Sequence, residues 1–233
     1  MSSSDTPTWG PLRSFGRIRS RTLKPRQAAL FDSLLPEVAV PDPEAGPIDP
    51  AVLAPQAKEV WLEIGFGGGE HLAEQASRRP QALMIGCEPF LNGVGSVLRH
   101  IEERGLKNVR VHAGDARAVM AALPDGSLDR VMILFPDPWP KARHNKRRFV
   151  QPETAAEIVR LLKPGGRLRF VTDWKAYADW ALEILNATPG LVWTAEAADD
   201  WRTAPADHVV TRYEEKQLGD TAPIFLEFVR AEG

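Results

Sequence analysis

The feature that most constrains this chain is an alternation that begins at Glu59. Short β-rich apolar runs, EVWLEI (59–64), ALMIGC (82–87), NVRVHA (108–113), LDRVMILF (128–135) and RLRFVT (167–172), are separated by stretches of helical spacing. The helical stretches run through Arg79, from Leu91 to Arg104, briefly after the third run, along PETAAEIVRLL and from Lys175 to Ala187. Strands alternating with helices predict a mostly parallel sheet, doubly wound, with helices on both faces and right-handed crossovers. The stop after PETAAEIVRLL falls at KPGG, where Pro164 and two glycines end a helix. Two more runs, GLVWTAE and PIFLEFV, follow with little helix between them. They predict a closing antiparallel C-terminal hairpin and a total of seven strands, an addition the plain dinucleotide fold lacks.

Everything before this alternation reads differently. Residues 1–57 divide into a basic arm, a short apolar helix at RQAALFDSLLP, and a proline-rich stretch over 36–57 that serves as a linker or a wrap over the surface. The arm carries six cations between Arg13 and Arg26, with no acid between Thr6 and Phe31. Residues 58–233 form the predicted catalytic domain.

In doubly wound sheets, ligands sit beyond the C-terminal strand ends where the winding reverses. The turns after the strands are therefore where chemistry is sought. LEIGFGGGEH places Gly65 and Gly67 between a strand and a helix, where glycine lets the backbone approach a ligand. That turn alone suits nicotinamide enzymes and methyltransferases equally. Glu63, two positions earlier, discriminates: a carboxylate there repels a pyrophosphate and attracts a ligand bearing ammonium and sulfonium groups. Glu88, in GCEPF, stands where an acid accepts hydrogen bonds from ribose hydroxyls. Asp115, in HAGDA, either faces an adenine amino group or simply caps the next helix. Three acids at successive strand ends favour S-adenosyl-L-methionine as the cofactor.

The fourth strand runs into LFPDPWPKARHNKRR. Pro136 and Pro138 stiffen the loop around Asp137. Trp139 is a platform for a base or a cover for the core. Lys141, Arg143, Lys146, Arg147 and Arg148 form a positive strip in a chain of formal net charge −2. With that overall charge, any nucleic-acid contact must come from a local patch such as this one.

Together, LEIGFGGGEHL, GCEP, HAGDA, FPDPWPKARHNKRR, FVTDW and TRYEEK resemble the bacterial tRNA (guanine-N7-)-methyltransferase family, from about Val60 to the C-terminus. The resemblance implies a Rossmann-like class I methyltransferase domain. Glu63, Glu88, Asp115 and Asp137 would bind the cofactor, with Asp137 also catalytic. Lys141, Asp173 and the segment Thr211, Arg212, Tyr213, Glu214 would contact the substrate. Arg143, His144, Asn145, Lys146, Arg147 and Arg148 would contact RNA, and the target would be a guanine of the tRNA variable loop, usually position 46.

Other classes are weaker. A nicotinamide dehydrogenase gives no reason for Glu63 or the strip, and an RNA-binding module without activity gives none for the strand-end acids. An amine-directed nucleic-acid methyltransferase shares the acid–proline turn and is separated by the atom methylated. The single cysteine, Cys87, fits a reducing compartment, and the five histidines make no metal-ligand spacing with it. No apolar run approaches the roughly 18 residues of a membrane span, and MSSSDTPTWGP lacks the apolar core of a secretion signal. The expectation is a cytoplasmic enzyme that uses tRNA, no metal and no membrane, and requires no partner protein.

Overall fold

The computed structural model describes residues 22–232; the arm from Arg13 to Arg21 lies outside them. The chain runs α1 (Pro25–Ser33), α2 (Leu35–Val38), α3 (Pro50–Leu53), β1 (Glu59–Ile64), α4 (Glu70–Arg78), β2 (Ala82–Cys87), α5 (Leu91–Arg104), β3 (Val109–His112), α6 (Ala116–Ala122) and β4 (Leu128–Leu134). A 3-10 helix (Ala142–Arg147) leads to α7 (Pro152–Leu161), β5 (Leu162–Thr172), α8 (Lys175–Ala187), β6 (Leu191–Trp193), α9 (Asp199–Arg202), a second 3-10 turn (Glu214–Lys216) and β7 (Ile224–Arg230).

The seven strands form one sheet in the order β3-β2-β1-β4-β5-β7-β6. The first five are parallel, and β7 runs antiparallel between β5 and β6. Strand β2 is buried at every position, as a central parallel strand covered on both faces must be. Leu62, Ile64, Leu83 and Ile85 point into a core with α6, α7 and α8, among them Met120, Ile158 and Tyr177. The alternate residues Trp61, Met84, Val109 and Val111 meet α4, α5 and α1 through Leu72, Leu98 and Leu30. Burying these two faces is the main force holding the sheet together.

Residues 22–57 have no core of their own among the described residues. Leu30 and Val38 join one core of the sheet domain, and Val40 and Ile48 join the other. Val40 N–H donates to Val111 O and Ile48 N–H to Ala122 O, so the proline-rich stretch lies along the domain's edge.

Two expectations need correction in detail. Strand β5 starts at Leu162, directly after α7, so KPGG lies inside a strand rather than a separating turn. Leu128 pairs with Leu162 and Arg130 already pairs with Arg167, so the residues between bulge out of register. The late pair β6 and β7 is antiparallel, but it is no tight hairpin. The connection over 194–223 runs back across the β4, β5 and β7 face, where Met132, Val171 and Phe225 make a small third core.

Candidate active site at the strand ends

The winding reverses between β1 and β4, and the acids read from the sequence gather beyond these ends. After β1, Gly65 and Gly67 have φ of 71° and 54°, and a side-chain carbon at either would meet nothing within 4 Å. The turn is thus shaped by backbone conformation that favours glycine and leaves open space above it. Helix α5 closes against it: a Cβ on Gly93 would lie 2.2 Å from Gly67 O.

Glu63 is buried, and His71 Nδ1 lies 2.7 Å from its Oε2. Glu88 is buried as well, its carboxylate accepting from Gly67 N–H at 2.8 Å and Phe90 N–H at 2.9 Å. Burial raises the Glu88 carboxyl pKa; the two N–H donors oppose this, and the charges of Asp137 and Glu63 reinforce it. Asp115 caps α6, accepting from Arg117 N–H at 3.0 Å, and Arg117 Nη2 lies 2.6 Å from its other oxygen. Burial works against ionisation of Asp115, but Arg117 outweighs it and the pKa falls. Of the two readings left open for this residue the cap is present, and a carboxylate with about four acceptor sites keeps room for another donor.

Asp137 stands between two strained residues. Phe135 and Trp139 have φ of 49° and 44°, a left-handed conformation uncommon for bulky side chains. The Asp137 side chain is open to solvent, yet the surrounding protein removes enough water to raise its pKa. Arg147 lies over the Trp139 ring at 5.0 Å and His144 meets it edge-on, so the residue is flanked by the basic strip.

Asp173, at the end of β5, is buried, and its Oδ1 has no hydrogen-bond partner. Burial raises its pKa. The chain at Gly219 passes so close that a Cβ there would lie 2.3 Å from Asp173 Cγ, and the N–H groups of Asp220 and Thr221 donate to Asp173 O. This wrap, together with the strained Gln217, brings Thr211–Glu214 to the site. Tyr213 packs against Phe135 with ring centroids 5.5 Å apart and planes tilted by 40°, and burial, then the charges of Asp173 and Asp137, raise its phenol pKa. Glu214 accepts from His208 Nε2 at 2.8 Å, Thr211 Oγ1 accepts from Glu214 N–H, and Arg212 pairs with Glu70 on the first turn of α4.

The positive strip is only partly as expected. Lys141, Arg143 and Lys146 are exposed, while His144, Asn145 and Arg147 are half-buried. Arg148 is a correction: it is buried, donates to Pro138 O and Ala176 O, and lies over the rings of Tyr177 and Trp180. Its guanidinium anchors the Asp137 loop from beneath rather than facing outward.

The sequence reading missed Asp207. Its carboxylate takes Arg169 at 2.8 Å on one oxygen and Arg130 at 2.8 Å on the other, pinning the 194–223 connection to the sheet. It missed His71 and Gln75 too, buried polar residues on the apolar stripe of α4, where a polar pair four apart was a readable signal.

Among the described residues no group of His, Cys, Asp and Glu is arranged to hold a metal ion, and no helix is long and apolar enough to cross a membrane. The methyltransferase family model Methyltransf_4 matches residues 57–226. The tRNA (guanine-N(7)-)-methyltransferase of Caulobacter vibrioides is 62% identical over 95% of this chain and 96% of the relative. That of Hyphomonas neptunium is 48% identical over 93% of this chain and 99% of the relative. Among solved structures, a mutant form of the 16S rRNA (adenine(1408)-N(1))-methyltransferase from Catenulisporales acidiphilia superposes with a TM-score of 0.53 at 17% identity, covering 82% of this chain and 92% of that one. The 16S rRNA methyltransferase KamB gives 0.53 at 13% identity, over 78% and 92%. These two likenesses place the fold among the Rossmann-like class I methyltransferases.

Proposed function

The chain belongs to the tRNA (guanine-N(7)-)-methyltransferase family, and we propose that it methylates N7 of a guanine in the tRNA variable loop, at position 46, in the cytoplasm. The observation that carries this reading is the convergence of Glu63, Glu88, Asp137 and Asp173 on one sheet edge, with raised pKa values at the last three. Acids gathered where the surrounding protein or neighbouring acids oppose their charge suit a cationic ligand. The residues present fit S-adenosyl-L-methionine: open glycine backbone at Gly65 and Gly67, and acids for the ammonium and the ribose. When bound, it supplies an electrophilic methyl on a sulfonium.

The chain's own residues then have three tasks. Glu63 would hold the ammonium and Glu88 the ribose of the cofactor, and Asp115 would accept from its adenine edge. Asp137, held between strained residues and two prolines, and Asp173, with its free acceptor oxygen, orient the base through N1–H and the exocyclic amine. Guanine N7 carries a lone pair and no proton, so no general base is required. Positive charge moves onto the purine during transfer, and these acids stabilise it. Alignment supplies most of the rate, on the order of 7–11 kcal/mol. Thr211–Glu214 close over the base, and Lys141, Arg143, His144, Asn145, Lys146 and Arg147 hold the RNA backbone; Arg148 supports the loop beneath them. Reaching a guanine in folded tRNA costs a few kcal/mol of unstacking.

Incubating the protein with labelled methyl donor and unmodified tRNA, followed by nucleoside mass spectrometry, tests the proposal. It predicts 7-methylguanosine at position 46. A methylated exocyclic amine would transfer the protein to the amine-directed class.

A further inference from the structure

We propose that His71 and Gln75 are positioning residues that tie the cofactor acid Glu63 to the substrate-contacting segment Thr211–Glu214; the inference rests on the functional reading above. Both side chains are almost wholly buried on α4, at 2% and 1% exposure. His71 Nδ1 lies 2.7 Å from Glu63 Oε2, and His71 Nε2 lies 3.1 Å from Gln75 Nε2. Gln75 Nε2 also donates to Asp207 O at 2.7 Å, and Gln75 Oε1 accepts from Arg79.

One assignment of hydrogens satisfies every atom in this chain. Arg79 can only donate, so the Gln75 atom beside it is the oxygen and the amide nitrogen faces His71. The amide nitrogen has two hydrogens, one for Asp207 O and one for His71 Nε2. His71 Nε2 must therefore accept, which leaves its proton on Nδ1, pointing at Glu63. No reversed arrangement works, because the Asp207 carbonyl cannot donate. The path thus runs from the cofactor acid through α4 to the main chain of Asp207, four residues before Thr211.

The connection over 194–223 needs such an anchor, since it contains only α9 and a 3-10 turn as regular structure. Asp207 is held through its carbonyl by Gln75 at 2.7 Å and more loosely by Arg78 at 3.5 Å, and through its carboxylate by Arg130, Arg169 and, at 3.6 Å, Arg79. The ion pairs fix the segment to the sheet. The Gln75 link is the one that also reaches the cofactor acid.

Gln75→Met keeps the volume and removes both donors. The tRNA KM should rise about tenfold, the order expected for one buried hydrogen bond left unmade, while cofactor Kd stays within about threefold. A residue that served folding alone would lower stability without splitting the two constants. On the wild-type protein, hydrogen–deuterium exchange of residues 205–216 should slow on adding S-adenosyl-L-methionine, a readout that holds even if the variant folds poorly. Unchanged exchange in the wild type, or unchanged tRNA KM in a folded Gln75→Met protein that still methylates tRNA, overturns the proposal. A wild-type protein that does not bind the cofactor overturns the functional reading, and this inference falls with it.

Discussion

Asp207 and the strand-end acids Glu88, Asp137 and Asp173 begin from the same residue chemistry and end in opposite electrostatic states. Burial pushes the Asp207 carboxyl up, but Arg169 and Arg130 overcome it and hold the pKa at about 2. Burial also pushes the strand-end acids up, and there the charged neighbours named for Glu88 and Asp173 are further acids: Asp137 and Glu63 for the first, Asp220 and Glu214 for the second. The Asp207 charge is compensated within the chain and serves the fold. The charge at the strand ends waits for a cation from outside. A similar contrast divides the basic strip, where Arg148 is consumed by Tyr177, Trp180 and backbone carbonyls while Lys141, Arg143 and Lys146 stay in solvent.

Of the strand-end acids, Asp137 carries the largest expected effect. Asp137→Ala should lower the methyl-transfer rate roughly 10³-fold, a typical loss for removing one preorganised electrostatic group. Its tRNA affinity should remain essentially that of the wild type in a filter-binding assay; full turnover would remove Asp137 from the active side.

Asp207→Asn should leave chemistry available but weaken the fold. It strands Arg169, which is 3% exposed, with only Glu227 as its acidic partner. Breaking a buried pair costs about 3–5 kcal/mol, which lowers Tm by about 10 °C in a protein of this size. The pH dependence follows the same sign. A folded pKa of about 2 against the usual 3.8 gives stability that is complete above the usual value and drains as pH falls toward the folded one. That share, roughly 2 kcal/mol, should be missing from acid titrations of the variant followed by circular dichroism.

The strip is probed by Arg143→Glu with Lys146→Glu. Binding of tRNA should weaken, and the log–log salt slope should flatten by about 0.7–0.9 for each phosphate no longer neutralised. Arg148→Met should instead lower Tm and leave the salt slope unchanged. The smallest effect is expected at Asp173. Its raised pKa means that ionisation costs folding free energy at neutral pH, so Asp173→Asn should raise the Tm of the ligand-free protein slightly. A fall in Tm would show that Asp173 is a structural acid like Asp207.

The strands from Glu59 onward and the acids after them were readable because each signal is local: an apolar run, then a turn, then one carboxylate. What escaped depends on distant partners. The bulge that starts β5 at Leu162 exists only because β4 pairs on both sides of it. Arg148 looks like its basic neighbours in sequence, and only Tyr177 and Trp180, brought by α8, bury it. Asp207 gave no local sign, since Arg130 and Arg169 come from two strands far earlier in the chain. The role of Gly219 depends on its close passage over Asp173.

The most direct test of the acidic strand-end site is proton release on cofactor binding. Titration calorimetry with S-adenosyl-L-methionine, run across the acidic-to-neutral pH range in two buffers of different ionisation enthalpy, measures it. Acids with raised pKa values that meet a cation must release protons, and Asp137→Asn should release fewer. Binding with no proton release in the wild type would contradict the account.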